Sequence, residues 1–179
     1  MGRRLTIRGT FDITANDRPK RDLVFAYESP DRTKGWKITG AWQWMNPKED
    51  NITSNNNPAL YGCLATDTLE NAVAPMETND IQTAGDNRIV AWHQVHMRGF
   101  DTGDYFVLHA ATLPESAFLL DLERIVTNDL YIYSNCLANG GGDQTDWQVN
   151  YMIALEEVTL TPSQSVLQQL KGIGQDINE

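Results

Sequence analysis

Three histidines, two cysteines and a few clustered carboxylates are the residues of this chain whose types and spacing could do chemistry. His93 and His96 stand three apart, which would share a face on a helix but points to opposite faces on a strand. Because residues 89–97 read as a strand, the pair is not expected to ligate one metal. Polar surface or a satisfied core position is the reading for both, and no partner is assigned to His109. Cys63 and Cys136 each lie in an apolar or aromatic stretch, where free cysteine behaves as a small buried hydrophobe. Free thiols are therefore expected rather than one disulfide between strands. No Gly-x-Ser-x-Gly turn offers a nucleophile. Glu156 and Glu157 are adjacent and diverge on a strand, so they do not form the opposed carboxylate pair of a glycosidase.

Asp101, Asp104, Asp143 and Asp146 are the weak calcium candidates, since this hard cation takes loop carboxylates and carbonyls. Their spacing fits no EF-hand, and the turn at 101–104 suits backbone capping. Gly140-Gly141-Gly142 lacks the Lys-Ser/Thr and the helix of a phosphate loop and reads as a hairpin tip. Asn51-Ile52-Thr53 is a chance glycosylation triplet. No catalytic residue, cofactor or metal is assigned, and the chain is expected not to be an enzyme.

Aromatic residues offer a different chemistry. Trp36, Trp42 and Trp44 share one parity with Ile38, in steps of about 6.5–7 Å along a strand. An exposed row of this kind stacks sugars, whereas a buried one is sandwich core. Lys37, Thr39 and Gln43 on the other parity favour burial. A non-catalytic carbohydrate-binding module using Trp36, Trp42 and Trp44 stands as the alternative function.

The elements that must hold these residues are strands. Leu5, Ile7, Phe11 and Ile13 alternate with Arg4, Thr6, Arg8, Thr10 and Asp12. Trp147, Val149, Tyr151, Ile153 and Leu155 alternate with Gln148, Asn150 and Glu156. Together with the tryptophan stretch, these period-two runs predict half-buried strands. Further strands are expected at 23–27, 60–65 and 130–136, with a hairpin over 89–111 and an ambiguous stretch at 117–122. Residues 46–58 and 76–87 read as long polar loops, and Asp67 as the cap of a short helical turn. Thr161-Pro162 starts a helix, Val166, Leu167 and Leu170 form its apolar stripe, and Gly172 stops it. The fold class is all-β: a two-sheet antiparallel β-sandwich, a jelly roll of eight to nine strands with one short C-terminal helix. Residues 1–160 form the sandwich. Residues 161–179 form a helix and tail packing on the same domain or on a neighbouring subunit.

Charge is unevenly placed. The first 48 residues hold ten of the fourteen basic and five of the twenty-four acidic residues, a balance of +5 that leaves −15 for the rest. Such a chain can attract copies of itself head to tail or turn one end toward a polyanion, and otherwise the charges form a solvated surface with no charge-specific partner. The basic beginning, with Arg3, Arg4 and Arg8, is expected to meet an acidic tier of Asp101, Asp104, Asp143 and Asp146 on another copy. The stripe of Val166, Leu167 and Leu170 is expected to be buried at such a contact. A net charge of −10 disfavours tight direct nucleic-acid binding by the domain body. No run of eighteen apolar residues is present, so no membrane helix is expected. The first residues lack the apolar stretch of a secretory signal, so synthesis in a cytoplasm, or a processed product, is expected.

Short strands, long polar loops, a basic first third, a terminal helix and no catalytic motif resemble the small single jelly-roll proteins of virus capsids. The resemblance implies a self-assembling structural subunit located in a virion, made in the host cytoplasm, with itself and other virion proteins as partners. The chain departs from the RNA-packaging version of that family. Arg3, Arg4 and Arg8 lie inside a strand rather than in a basic arm, which points to an acidic shell or decoration protein. No functional residue carries over.

Overall fold

The computed structural model describes residues 2–14, 17–27, 33–46, 58–69, 80–96, 99–101, 106–108, 116–137 and 146–173. Its strands are β1 (Arg4–Thr14), β2 (Lys20–Phe25), β3 (Lys34–Asn46), β4 (Ala59–Ala65), β5 (Ile89–His96), β6 (Gly99–Asp101), β7 (Phe106–Leu108), β8 (Leu119–Leu120), β9 (Ile125–Val126), β10 (Leu130–Leu137) and β11 (Asp146–Thr159). One helix, α1 (Pro162–Ile173), follows. A four-stranded sheet has the order β1-β11-β3-β9 and a five-stranded sheet the order β2-β10-β4-β5-β8. All pairings are antiparallel.

The pairs are nested: β1 lies against β11, β2 against β10, β3 against β9 and β4 against β5. Successive pairs alternate between the sheets, as when one long antiparallel ribbon is rolled up, and this winding makes the sandwich a jelly roll.

Two apolar clusters fill the space between the sheets. One contains Trp36, Ile38, Leu64, Val90, Phe118, Ile132, Ile153 and Leu155. The other contains Ile13, Met45, Leu60, Val95, Cys136, Trp147 and Val149. The period-two reading of β11 holds on its core face, and that of β1 holds at Ile7, Phe11 and Ile13, whereas Leu5 is exposed.

Within β3 the alternation fails. Ala154 pairs with Gly40 and Leu155 with Ile38, so Thr39 is an extra residue, a β-bulge whose hydroxyl donates to the Ala154 carbonyl at 3.2 Å. A bulge reverses parity beyond itself. Trp36 and Ile38 therefore face the core, while past the bulge Ala41, Gln43 and Met45 do so. The expected single row of Trp36, Trp42 and Trp44 is not formed.

Other differences are local. The hairpin is β6 with β7 alone, since β5 pairs with β4 and β8. The stretch at 117–122 resolves into a bridge from Ala117 to Trp42 followed by β8. The supposed polar loop at 76–87 contains a 3-10 turn at Asp80–Gln82 with Ile81 fully buried. With Leu69, Cys63, Ala65, Ile89 and Tyr133, Ile81 forms a third cluster. This cluster roofs the outer face of the five-stranded sheet.

Candidate assembly surface

Helix α1 begins with a reciprocal cap. The Thr161 hydroxyl accepts from the Gln164 amide N–H at 3.3 Å, and the Thr161 amide donates to the Gln164 side-chain oxygen at 3.0 Å. Both bonds satisfy amides that a helix start leaves without partners. The helix is then fastened to the sandwich by polar side chains. Gln168 donates to the Glu123 carbonyl at 3.2 Å and accepts from the Ile125 amide at 3.5 Å, so its side-chain amide caps the β9 edge as a strand backbone would. Ser165 and Gln168 are buried, and Leu160, just ahead of the helix, is anchored by its amide donating to the Thr33 carbonyl at 2.7 Å.

The apolar stripe lies on the opposite side. Val166, Leu167 and Leu170 are 55%, 53% and 58% exposed. At 100° per residue, positions 166, 167 and 170 lie across the helix from 165 and 168. The amphipathic helix is thus inverted, with its polar side on the sheet and its apolar side outward. The turn that receives Gln168 adds Leu119 and Leu122, which are 74% and 67% exposed, beside the exposed acids Asp121 and Glu123.

A second open surface is the outer face of the four-stranded sheet. Register places Arg8, Met152 and Trp42 in one row and Thr10, Asn150 and Trp44 in the next. Trp42 lies flat on the sheet, because a Cβ on Gly40 would stand 2.2 Å from its indole ring. Trp44 is exposed and Met152 half-buried.

Arg3, Arg4 and Arg8 are exposed on or beside β1, the edge strand of this sheet. Arg4 pairs with Glu156 at 3.8 Å, and the Arg3 carbonyl accepts from the Glu157 amide at 2.8 Å. Asp101 and Asp146 are end residues of β6 and β11, while Asp104 and Asp143 lie outside the described residues. Residues 140–142, Asn51 and His109 lie outside them as well. Among the described residues, no three His, Cys, Asp or Glu side chains gather as metal ligands, and no helix is long and apolar enough to cross a membrane.

The remaining sequence candidates sit in the interior. His93 is buried and His96 exposed, as strand geometry requires. Gln43, expected on the wet side of β3, is instead wholly buried beyond the bulge. Its amide nitrogen donates to His93 Nδ1 at 2.7 Å, and its oxygen accepts from the Ser134 hydroxyl at 2.8 Å. Gly62 leaves room for this amide. The three side chains link the two sheets by hydrogen bonds across the core. Cys63 and Cys136 are free and buried. They lie on opposite faces of the five-stranded sheet, one under the roof and one between the sheets. Desolvation pushes the Cys136 thiol up to about 12, and burial raises Cys63 too, with Asp86 adding to the effect.

Sequence reasoning found the helix and its stripe but missed the sheet-face shelf. The adjacent Thr39-Gly40 pair inside a strand was the available signal, since an interior glycine often marks a bulge.

No protein-family model and no curated protein sequence matches the chain. Among solved structures, the chain is similar in layout to turnip yellow mosaic virus at 100 K, with a TM-score of 0.35 and 11% identity over 90% of this chain and 96% of that one. It is also similar to Desmodium yellow mottle tymovirus, with a TM-score of 0.31 and 15% identity over 90% and 85%. The 60-mer BFDV capsid protein gives a TM-score of 0.34 and 12% identity over 87% and 93%.

Proposed function

We propose that this protein is a self-assembling structural subunit, a capsid or virion decoration protein that works by contact with copies of itself and with other virion proteins. One observation carries the reading: α1 is pinned to the sandwich by its polar side and holds Val166, Leu167 and Leu170 out to solvent. A helix that short draws its stability from burying its apolar face, and here that face has no cover within the described chain. A second copy supplies the cover. The exposed arginines of β1 add a charge-led component, set against the acidic balance of residues 49–179. The protein's work is then assembly rather than catalysis, and its place is the particle.

Light scattering after size exclusion, with negative-stain microscopy, tests this. Wild type should form discrete oligomers, rings or shells. Truncation before Thr161 should leave monomers, and Arg3→Glu/Arg4→Glu/Arg8→Glu should give smaller assemblies at low salt. At molar salt, where screening acts within about 3 Å, the arginine contribution should vanish while the apolar contact tightens. Three identical monomers would overturn the reading.

A further inference from the structure

We infer that the two open surfaces are halves of one contact: helix α1 and the 119–123 turn of one copy lie across the outer face of the four-stranded sheet of the next. The inference rests on the self-assembly reading and names the surfaces that perform it.

Each surface lacks what the other offers. The sheet presents a flat shelf of Trp42, Met152 and Ala154, kept low by Gly40, with Trp44 at its border. Three strands about 4.8 Å apart make this shelf wide enough for one helix. The helix presents the ridge of Val166, Leu167 and Leu170. A helix laid on a sheet face is one of the standard ways to bury both. Charge agrees as well. Asp121 and Glu123 are exposed beside the helix, while Arg8, also exposed, lies in the same row as Met152 and Trp42.

The helix cannot cover its own shelf. Gln168 fixes it at β9, whose partner on β3 is Trp36–Lys37. Trp42 lies six residues further along, about 20 Å away at the strand rise, and the stripe already points outward. Only another copy brings the helix ridge onto the shelf. Because they differ, the contact is heterologous, and it closes into rings or shells if the rotation permits.

Two variants decide the matter. Trp42→Ser/Trp44→Ser removes the shelf, and Leu167→Glu/Leu170→Glu spoils the ridge. All these positions face outward, so both variants should keep the wild-type circular dichroism spectrum. Trp44→Ser with Arg8→Glu replaces the first if the double tryptophan variant does not fold. Each variant alone should run as a 20.1 kDa monomer. An equimolar mixture should form a dimer of twice the 20.1 kDa mass and nothing larger, since one good shelf and one good ridge remain. A mixture that stays monomeric while wild type assembles overturns the inference and leaves self-assembly standing. Wild type monomeric at every concentration overturns the self-assembly reading itself. Saccharide protection of Trp42 and Trp44 from acrylamide quenching in the ridge variant would assign the shelf to glycan and also overturn the inference.

Discussion

Tyr133 and Trp44 both point away from the space between the sheets, yet Tyr133 is 0% and Trp44 37% exposed. The difference lies in what the chain does next to each sheet. Over the five-stranded sheet, residues between β4 and β5 fold back, placing Leu69 and Ile81 on Cys63 and Tyr133. The Leu69 amide donates to the Tyr133 hydroxyl at 2.9 Å, and Arg88 clamps Asp86 at 2.8 Å while reaching the Thr68 carbonyl at 3.1 Å. Over the four-stranded sheet, no described segment covers Trp42 and Trp44. The same architecture thus treats its two outer faces differently. One is completed by its own sequence, and the other leaves large apolar side chains without cover among the described residues.

The sharpest way to break this comparison is to remove one residue from each face. Ile81→Ala should destabilise the fold by about 2–5 kcal/mol, as expected for a fully buried side chain. Trp44→Thr should change stability by no more than about 0.5 kcal/mol. Urea unfolding of both variants measures the contrast, and equal losses would mean that both faces are equally structural.

Two glycines sharpen it further. A Cβ on Gly62 would stand 2.2 Å from the Gln43 amide nitrogen, and that buried amide is held by His93 and Ser134. Gly62→Ala should therefore cost about 1–3 kcal/mol through a strained, unsatisfied core. Gly40→Ala meets the Trp42 ring at the same 2.2 Å, but that indole can swing into water. Its effect should be near zero on stability and visible instead as easier acrylamide quenching of tryptophan fluorescence.

The smallest effect concerns the thiols. A thiol whose folded value lies above its unfolded one stabilises nothing below about 9, and the fold then loses stability progressively as pH rises toward about 12. The urea midpoint should be insensitive to Cys136→Ala's missing thiol at pH 7 apart from a packing loss, while wild type weakens relative to that variant above pH 9. Under native conditions at pH 8, alkylation followed by mass spectrometry should modify Cys63 before Cys136. Cys63 needs only the roof of Leu69 and Ile81 to lift, whereas Cys136 needs the two sheets to part.

Much of this fold was legible from alternation alone. β1 and β11 carry period-two patterns broken only by Gly9, Met152 and Ala154, and Thr161-Pro162 with Gly172 bracket α1 almost to the residue. What escaped has physical causes. A bulge at Thr39 shifts parity without altering composition, so Gln43 looked wet and Trp42 looked dry. β8 and β9, two residues each, are too short to show a period. Ile81 is one apolar residue in a polar stretch, and its burial comes from the tertiary placement of that segment. The candidate surface divided in the same way. The helical stripe was readable, but its outward direction depends on Gln168 finding the backbone of β9.

Nested pairing also orders events in time. During synthesis β1 emerges more than a hundred residues before its partner β11. The nascent four-stranded sheet therefore cannot close until nearly the whole domain has been made, a high-contact-order arrangement that folds slowly. Helix α1 comes immediately after β11, and the β9 edge that orients it belongs to that same sheet. The apolar ridge is thus made after every strand of the sandwich, and the β9 edge that orients it lies in the sheet that β11 completes. A chain stalled before β11 has neither the closed four-stranded sheet nor the ridge, so the two surfaces arise together and only on a finished sandwich.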